Sequence, residues 1–129
     1  MTPAIFGIAG TALGADERAF FKDADPAGYI LFARNCESKD QLRALTDELR
    51  AIHGRDRLVI SIDQEGGRVA RMKPPVWQAY PAGEAFAALW DVAPASAIEA
   101  ARANAEAMGR ELATVSYTHL RAHETVLDL

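Results

Sequence analysis

The feature that most constrains this chain is an alternation of short, unbroken apolar runs with amphipathic segments. The apolar runs are residues 4–9 (AIFGIA), 29–33 (YILFA) and 57–63 (RLVISID). Runs of this kind, without apolar/polar alternation, are strands buried on both faces, which is how strands of a parallel sheet read. Between the first two runs, residues 16–22 predict a short helix whose Asp16 and Glu17 lie in the first turn, at the positive end of the dipole. Asp25-Pro26-Ala27-Gly28 is expected to be a turn, since Pro fixes φ and Gly permits positive φ. Between the second and third runs, Ser38 and Gln41 have capping-box spacing, and Leu42, Leu45, Leu49 and Ile52 repeat along one helical face. His53 stands at the dipole-compatible end of that helix, and Gly54 closes it.

Beyond the third run, residues 64–83 hold three prolines and three glycines and predict a long loop, a kind usually functional in a compact domain. Residues 84–90 suggest a short helix. Ser96 and Glu99 have a second capping-box spacing before a stripe of Ile98, Ala101, Ala105, Met108 and Leu112. The resulting order, β-α-β-α-β-loop-α, points to parallel α/β architecture, either doubly wound or a barrel.

Charge and composition narrow the function classes. With 14 Lys+Arg against 18 Asp+Glu and a net charge of −4, the chain offers no clustered basic surface for nucleic acid. A single cysteine, Cys36, excludes an internal disulfide framework and suits a reducing compartment. No apolar run approaches the roughly 18 residues of a membrane helix, and the start, MTPAIFGIAG, lacks the basic region of a signal peptide. These features predict a soluble, cytoplasmic protein with neither a nucleic-acid nor a membrane partner.

The last residues change character. VSYTHLRAHETVLDL, from Val115, holds two of the three histidines, and its first eleven residues resemble a translated sequencing adapter. Residues 114–129 are therefore expected to be a non-native tail, and residues 1–113 the folded portion. His119 and His123, four apart and followed by Glu124, imitate half a zinc site, but the spacing reads as accidental. No metal or cofactor is expected.

The densest polar cluster is Asp63-Gln64-Glu65-Gly66-Gly67-Arg68-Val69-Ala70-Arg71. Asp63 ends the third run, at the strand end where parallel α/β proteins place ligands. Its carboxylate can accept from adjacent sugar hydroxyls, Arg71 supplies planar donors, and Gly66-Gly67 allows a sharp turn. A purely structural reading stands beside this one: Asp63 caps the loop, with Arg71 as its surface partner. Asp63 and Glu65 do not suit the carboxylate pair of a retaining glycosidase, which sits ~5–5.5 Å apart across the sugar. Glu65 is expected to hold the Gly-Gly turn instead. Trp77, Tyr80 and Trp90 read as packing anchors, and Cys36 as a buried or idle thiol.

Taken together, GYILFARNCES, LVISIDQEGGRVARM and the following PP-W-AYP loop resemble the bacterial β-N-acetylhexosaminidases of glycoside hydrolase family 3. The resemblance runs from about residue 4 to 113. It implies a (β/α)8 TIM-type barrel, of which this chain would be the amino-terminal part, about three βα units. It also implies a metal-free, cytoplasmic, retaining enzyme that removes terminal β-N-acetylglucosamine from muropeptides in peptidoglycan recycling. The family's substrate-binding Asp and Arg fall on Asp63 and Arg71. Its histidine loop and nucleophilic Asp match nothing here, so no catalytic residue is expected within the chain. A β-glucosidase of the same wider family and a non-catalytic sugar-binding module are the alternatives.

Overall fold

The computed structural model of the chain describes residues 1–55 and 57–116. Strands β1 (Thr2–Gly7), β2 (Pro26–Leu31) and β3 (Val59–Ile62) form a parallel sheet in that order. Helix α1 (Ala15–Ala24) connects the first two strands and α2 (Lys39–His53) the second and third. After a loop come α3 (Gly83–Val92) and α4 (Pro94–Val115), which pack on each other, and α4 also packs on α2. This is an α/β architecture of about three βα units, an incomplete (β/α) barrel.

One face of the sheet is covered. Phe6, Tyr29 and Ile60 are in register across the three strands, and the ring of Phe21 meets Tyr29 edge-on at 4.9 Å. Phe6 stacks on Phe20 and Phe21 of α1. From α2, Leu42, Leu45 and Leu49 are fully buried, each contributing roughly 1.5–3 kcal/mol by leaving water. Because strand side chains alternate, Ile5 and Val59 point the other way, and they are 54% and 51% exposed.

Helix α2 forms as its local signals require. Ser38 Oγ accepts the Gln41 N–H at 3.1 Å, the Gln41 side chain accepts back, and Gly54 closes the helix at φ 59°. Elsewhere the sequence expectations need correction. Pro26-Ala27-Gly28 is not a turn but the first half of β2. Only Asp25 turns, at φ 40°, and Pro26 opens the strand, a place where the missing N–H is tolerated. Gly28 is required by the neighbouring strand, since a Cβ there would lie 2.6 Å from the Val59 carbonyl oxygen. Strand β1 starts and ends two residues earlier than the apolar run suggested. The second capping box does not form either. Pro94 starts α4 at its first turn with Ala93 as N-cap, so Ser96 is already inside the helix, and Ala97 rather than Ile98 is buried.

The amino-terminal end of the sheet is closed by a polar network. Tyr29 Oη lies 2.7 Å from His53 Nε2, and His53 Nδ1 lies 3.1 Å from Asp25. Asp25 also pairs with Arg55 at 3.0 Å and the Met1 amine at 3.3 Å. With Nδ1–H donated to Asp25, Nε2 accepts from Tyr29, which defines the neutral tautomer. Burial, then the Arg55 charge, lowers the His53 pKa against the opposing pull of Asp25. Burial pushes the Tyr29 hydroxyl up to about 12. Burial would raise the Asp25 carboxyl, but the Met1 amine, Arg55 and His53 together hold it below its ordinary value.

The end of α4 is tied to α2: Thr46 Oγ1 donates to the Val115 carbonyl at 2.9 Å, Arg50 to Ser116 Oγ at 2.5 Å, and Arg43 to the Thr114 carbonyl. Val115 and Ser116 are buried, so the fold uses the first residues after the change in sequence character. His119, His123 and Glu124 lie outside the described residues. No helix among the described residues is long and apolar enough to cross a membrane.

Candidate functional site

The carboxyl-terminal end of the sheet is where polar groups gather without being fully matched. Asp63 is the first residue after β3. The chain then makes a tight reversal in which the Glu65 and Gly66 N–H groups both donate to the Val69 carbonyl, at 2.8 and 3.1 Å. Gly66 and Gly67 have φ of 93° and 60°, a region that costs L side chains strain. A Cβ on Gly66 would also run into the Pro81 carbonyl oxygen. The Gly67 N–H donates to the Tyr80 carbonyl at 2.8 Å, which folds the later loop back on the reversal.

Gln64 holds the two sides of this loop together. Its Oε1 accepts the Arg71 and Met72 N–H groups at 2.8 and 3.1 Å, and its Nε2 donates to the Met72 carbonyl at 2.9 Å. Met72 and Trp77 are buried beneath the loop. The Gln78 N–H donates to Glu111 Oε1 at 3.0 Å, tying the loop to α4. Burial, aided by the Glu111 carboxylate, pushes the Tyr80 hydroxyl up to about 12.

Within this frame, Arg71 Nη2 lies 3.3 Å from Asp63 Oδ2, longer than the roughly 2.7–2.9 Å of a strong charge-assisted bond. The Asp63 side chain is 49% exposed and that of Arg71 29%. Arg71 Nε is buried without a partner. Asp63 caps no backbone N–H group of the loop, because Gln64 does so; the surface partnership with Arg71 is present. Glu65 contributes to the turn through its backbone N–H, while its side chain stays on the exposed side.

A second cation stands at the same end. Arg34, in the 3-10 turn Ala33–Asn35 after β2, donates from Nε to the Ile8 carbonyl at 2.9 Å. Its guanidinium lies over the Phe32 ring, 4.6 Å from the centroid. The buried Asn35 fixes this corner by donating to the Ile8 and Gly10 carbonyls and accepting the Phe32 N–H.

Sequence reasoning singled out Asp63 and Arg71, and the fold brings them together. It missed Gln64, whose side chain clasps backbone atoms of Arg71 and Met72 across the reversal, and Arg34, whose partner is the Ile8 carbonyl far back in the chain. Trp77 is a packing anchor, whereas Trp90 is 52% exposed. The Cys36 thiol donates to the Phe32 carbonyl at 3.4 Å, and burial pushes it up to about 11, so it is not a thiolate nucleophile. Among the described residues, no group of three or more His, Cys, Asp or Glu side chains could hold a metal ion.

Residues 7–119 match the glycosyl hydrolase family 3 N terminal domain, and the chain is a member of that family. It is 43% identical over 95 residues to a beta-hexosaminidase of Alkalilimnicola ehrlichii, covering 74% of this chain and 27% of the relative. It is 39% identical over 108 residues to a beta-hexosaminidase of Xanthomonas campestris pv. campestris, covering 84% of this chain and 32% of the relative. The crystal structure of native NagZ from Neisseria gonorrhoeae superposes with a TM-score of 0.82 at 31% identity, over 92% of this chain and 36% of that one. The gonococcal protein has also been solved in complex with N-trifluoroacetyl-D-glucosamine. The chain thus spans roughly a third or less of the length of these relatives.

Proposed function

We propose that this chain is the amino-terminal part of a cytoplasmic, retaining β-N-acetylhexosaminidase that releases terminal β-N-acetylglucosamine from muropeptides in peptidoglycan recycling. In the complete enzyme a carboxylate attacks the anomeric carbon while a general acid assists the leaving group, and water then reverses the step. The residues of this chain bind and do not react. Asp63 accepts from hydroxyls of the non-reducing sugar and Arg71 donates to it, with no metal or cofactor involved.

The observation that carries this reading is the bonding of Asp63. It stands at the ligand-binding end of β3 with Arg71 as its partner at 3.3 Å, while Gln64 caps the loop in its place. The names of the relatives and the amino-sugar complex of the gonococcal protein favour an acetamido sugar over a plain glucoside. The tail reading belongs to the same proposal: VSYTHLRAHET is adapter-derived, and independent genomic reads should diverge from it.

The test compares two proteins. The 129-residue chain is expected to leave a chromogenic N-acetylglucosaminide intact. The product of the continuous gene should hydrolyse it, with a raised KM in Asp63→Asn. Turnover by the short chain that Asp63→Ala abolishes would overturn the proposal.

A further inference from the structure

We infer that Arg34 is a third contact to the bound sugar, donating to an acceptor oxygen on the side of the ring opposite Asp63. The inference rests on the sugar-site reading of Asp63 and Arg71 and extends it to the far side of the same mouth.

Three observations place the guanidinium. First, it lies on the open face of the sheet. A Cβ built on Gly7 would stand 3.2 Å from Arg34 Nη2. Gly7 alternates with Phe6, whose ring is packed on α1, so Gly7 and the guanidinium above it face away from the helices. The same alternation buries Ile60 on the helix side and, continued one residue past β3, puts Asp63 on the open side with Arg34.

Second, the guanidinium is held at a fixed place and, among the described residues, is not neutralised. The Ile8 carbonyl takes Nε–H, the Phe32 ring covers one flat side, and Gly7 leaves room beneath. Among the described residues no carboxylate lies within ion-pair distance of Arg34, although the side chain is exposed. A surface arginine would leave its side chain loose in water. Here the aromatic ring and the carbonyl restrain it, which reduces the entropy lost when its remaining N–H groups bind.

Third, the spacing suits a single ring. Gly7 pairs with Ile30, and Ile30 with Ser61, so Arg34 is anchored two strands from Asp63 and two residues lower. Two strand spacings of about 4.8 Å and two residues of rise at about 3.3 Å combine to a diagonal of about 11–12 Å. Hydrogen bonds of about 2.8 Å at each side leave room between them for one sugar ring. The chemistry is complementary: Asp63 only accepts, so it selects hydroxyl donors, and Arg34 only donates, so it selects an oxygen acceptor.

The experiment measures steady-state kinetics of the continuous gene product on chromogenic N-acetylglucosaminide and glucoside. Arg34→Ala is expected to raise KM about tenfold, the loss of one charged hydrogen bond, with kcat changed less than about threefold. Arg34→Lys should recover part of the affinity. Phe32→Leu, which removes the restraining ring, should raise KM by a smaller factor. A larger loss on the N-acetylglucosaminide assigns the acceptor to the acetamido oxygen, and an equal loss to a hydroxyl; either supports the inference. An unchanged KM in Arg34→Ala, with KM raised in Asp63→Asn, would overturn it and leave the sugar site standing. An unchanged KM in both variants would remove the sugar-site reading and the inference together.

Discussion

The two ends of the sheet are built from the same kinds of residue and used in opposite ways. At the amino-terminal end, Tyr29, His53, Asp25, Arg55 and the Met1 amine form a closed circuit in which the His53 side chain is only 2% exposed. At the carboxyl-terminal end, Asp63 and Arg71 meet at a loose 3.3 Å and Arg34 has no carboxylate partner among the described residues. The first end spends its polar groups on one another and gains order. The second end leaves donors and acceptors unmatched, and unmatched groups on a rigid frame are what a ligand can use. Substitutions at the two ends should therefore separate stability from binding.

The sharpest break should come from the frame of the open end. Gly66→Ala combines positive φ with a collision against the Pro81 carbonyl oxygen. It should cost about 3 kcal/mol or more in denaturant unfolding and displace Arg71. Next, His53→Ala removes both of its hydrogen bonds at the closed end and leaves a cavity; about 2–3 kcal/mol should be lost. Tyr29→Phe, deleting only the hydroxyl, should cost about 1 kcal/mol. Asp63→Ala should change stability by less than about 0.5 kcal/mol, because its pair is half exposed. If Asp63→Ala destabilised as strongly as His53→Ala, the contrast between the ends would fail.

The closed end also predicts a pH dependence. Burial lowers the folded-state pKa of His53 below its ordinary 6.5. The unfolded chain therefore takes up a proton before the folded one does. Stability should be at its plateau above about pH 6.5 and decline as the pH falls below it. The lowered Asp25 carboxyl adds a second decline further down, below its ordinary 3.8. Thermal unfolding followed from pH 8 to 5 should show the first decline in the native chain and lose it in His53→Gln.

What was legible in the sequence follows from how local each signal is. Helix α2 carries its cap, its leucine stripe and its closing glycine within seventeen residues of chain, and all three act as read. The start of β2 is not legible locally, because Pro26-Ala27-Gly28 reads as a turn until β3 lies beside it. The spacing of Ser96 and Glu99 was a true pattern in the wrong place, since Pro94 had already begun the helix. Asp63 and Arg71 were legible because a strand end, two glycines and an arginine share one short string. His53 reads locally as a partner of its own helix dipole, yet its contacts are Asp25 and Tyr29, brought in by the sheet. Gln64 carries no mark in sequence that distinguishes a loop clasp from an ordinary polar neighbour.

Gln64 has one more consequence. Its amide pairs with residues 71 and 72 as a neighbouring strand would, so the distance from Asp63 to Arg71 is set below the tip of the reversal. The tip, Gly67-Arg68, is exposed and bears none of that constraint. Variation at Arg68 can therefore alter what the exposed tip presents without moving the Asp63–Arg71 pair at its base. The loop is a clasp with a free tip, and substitution at the tip should leave the proposed sugar contacts of Asp63 and Arg71 in place.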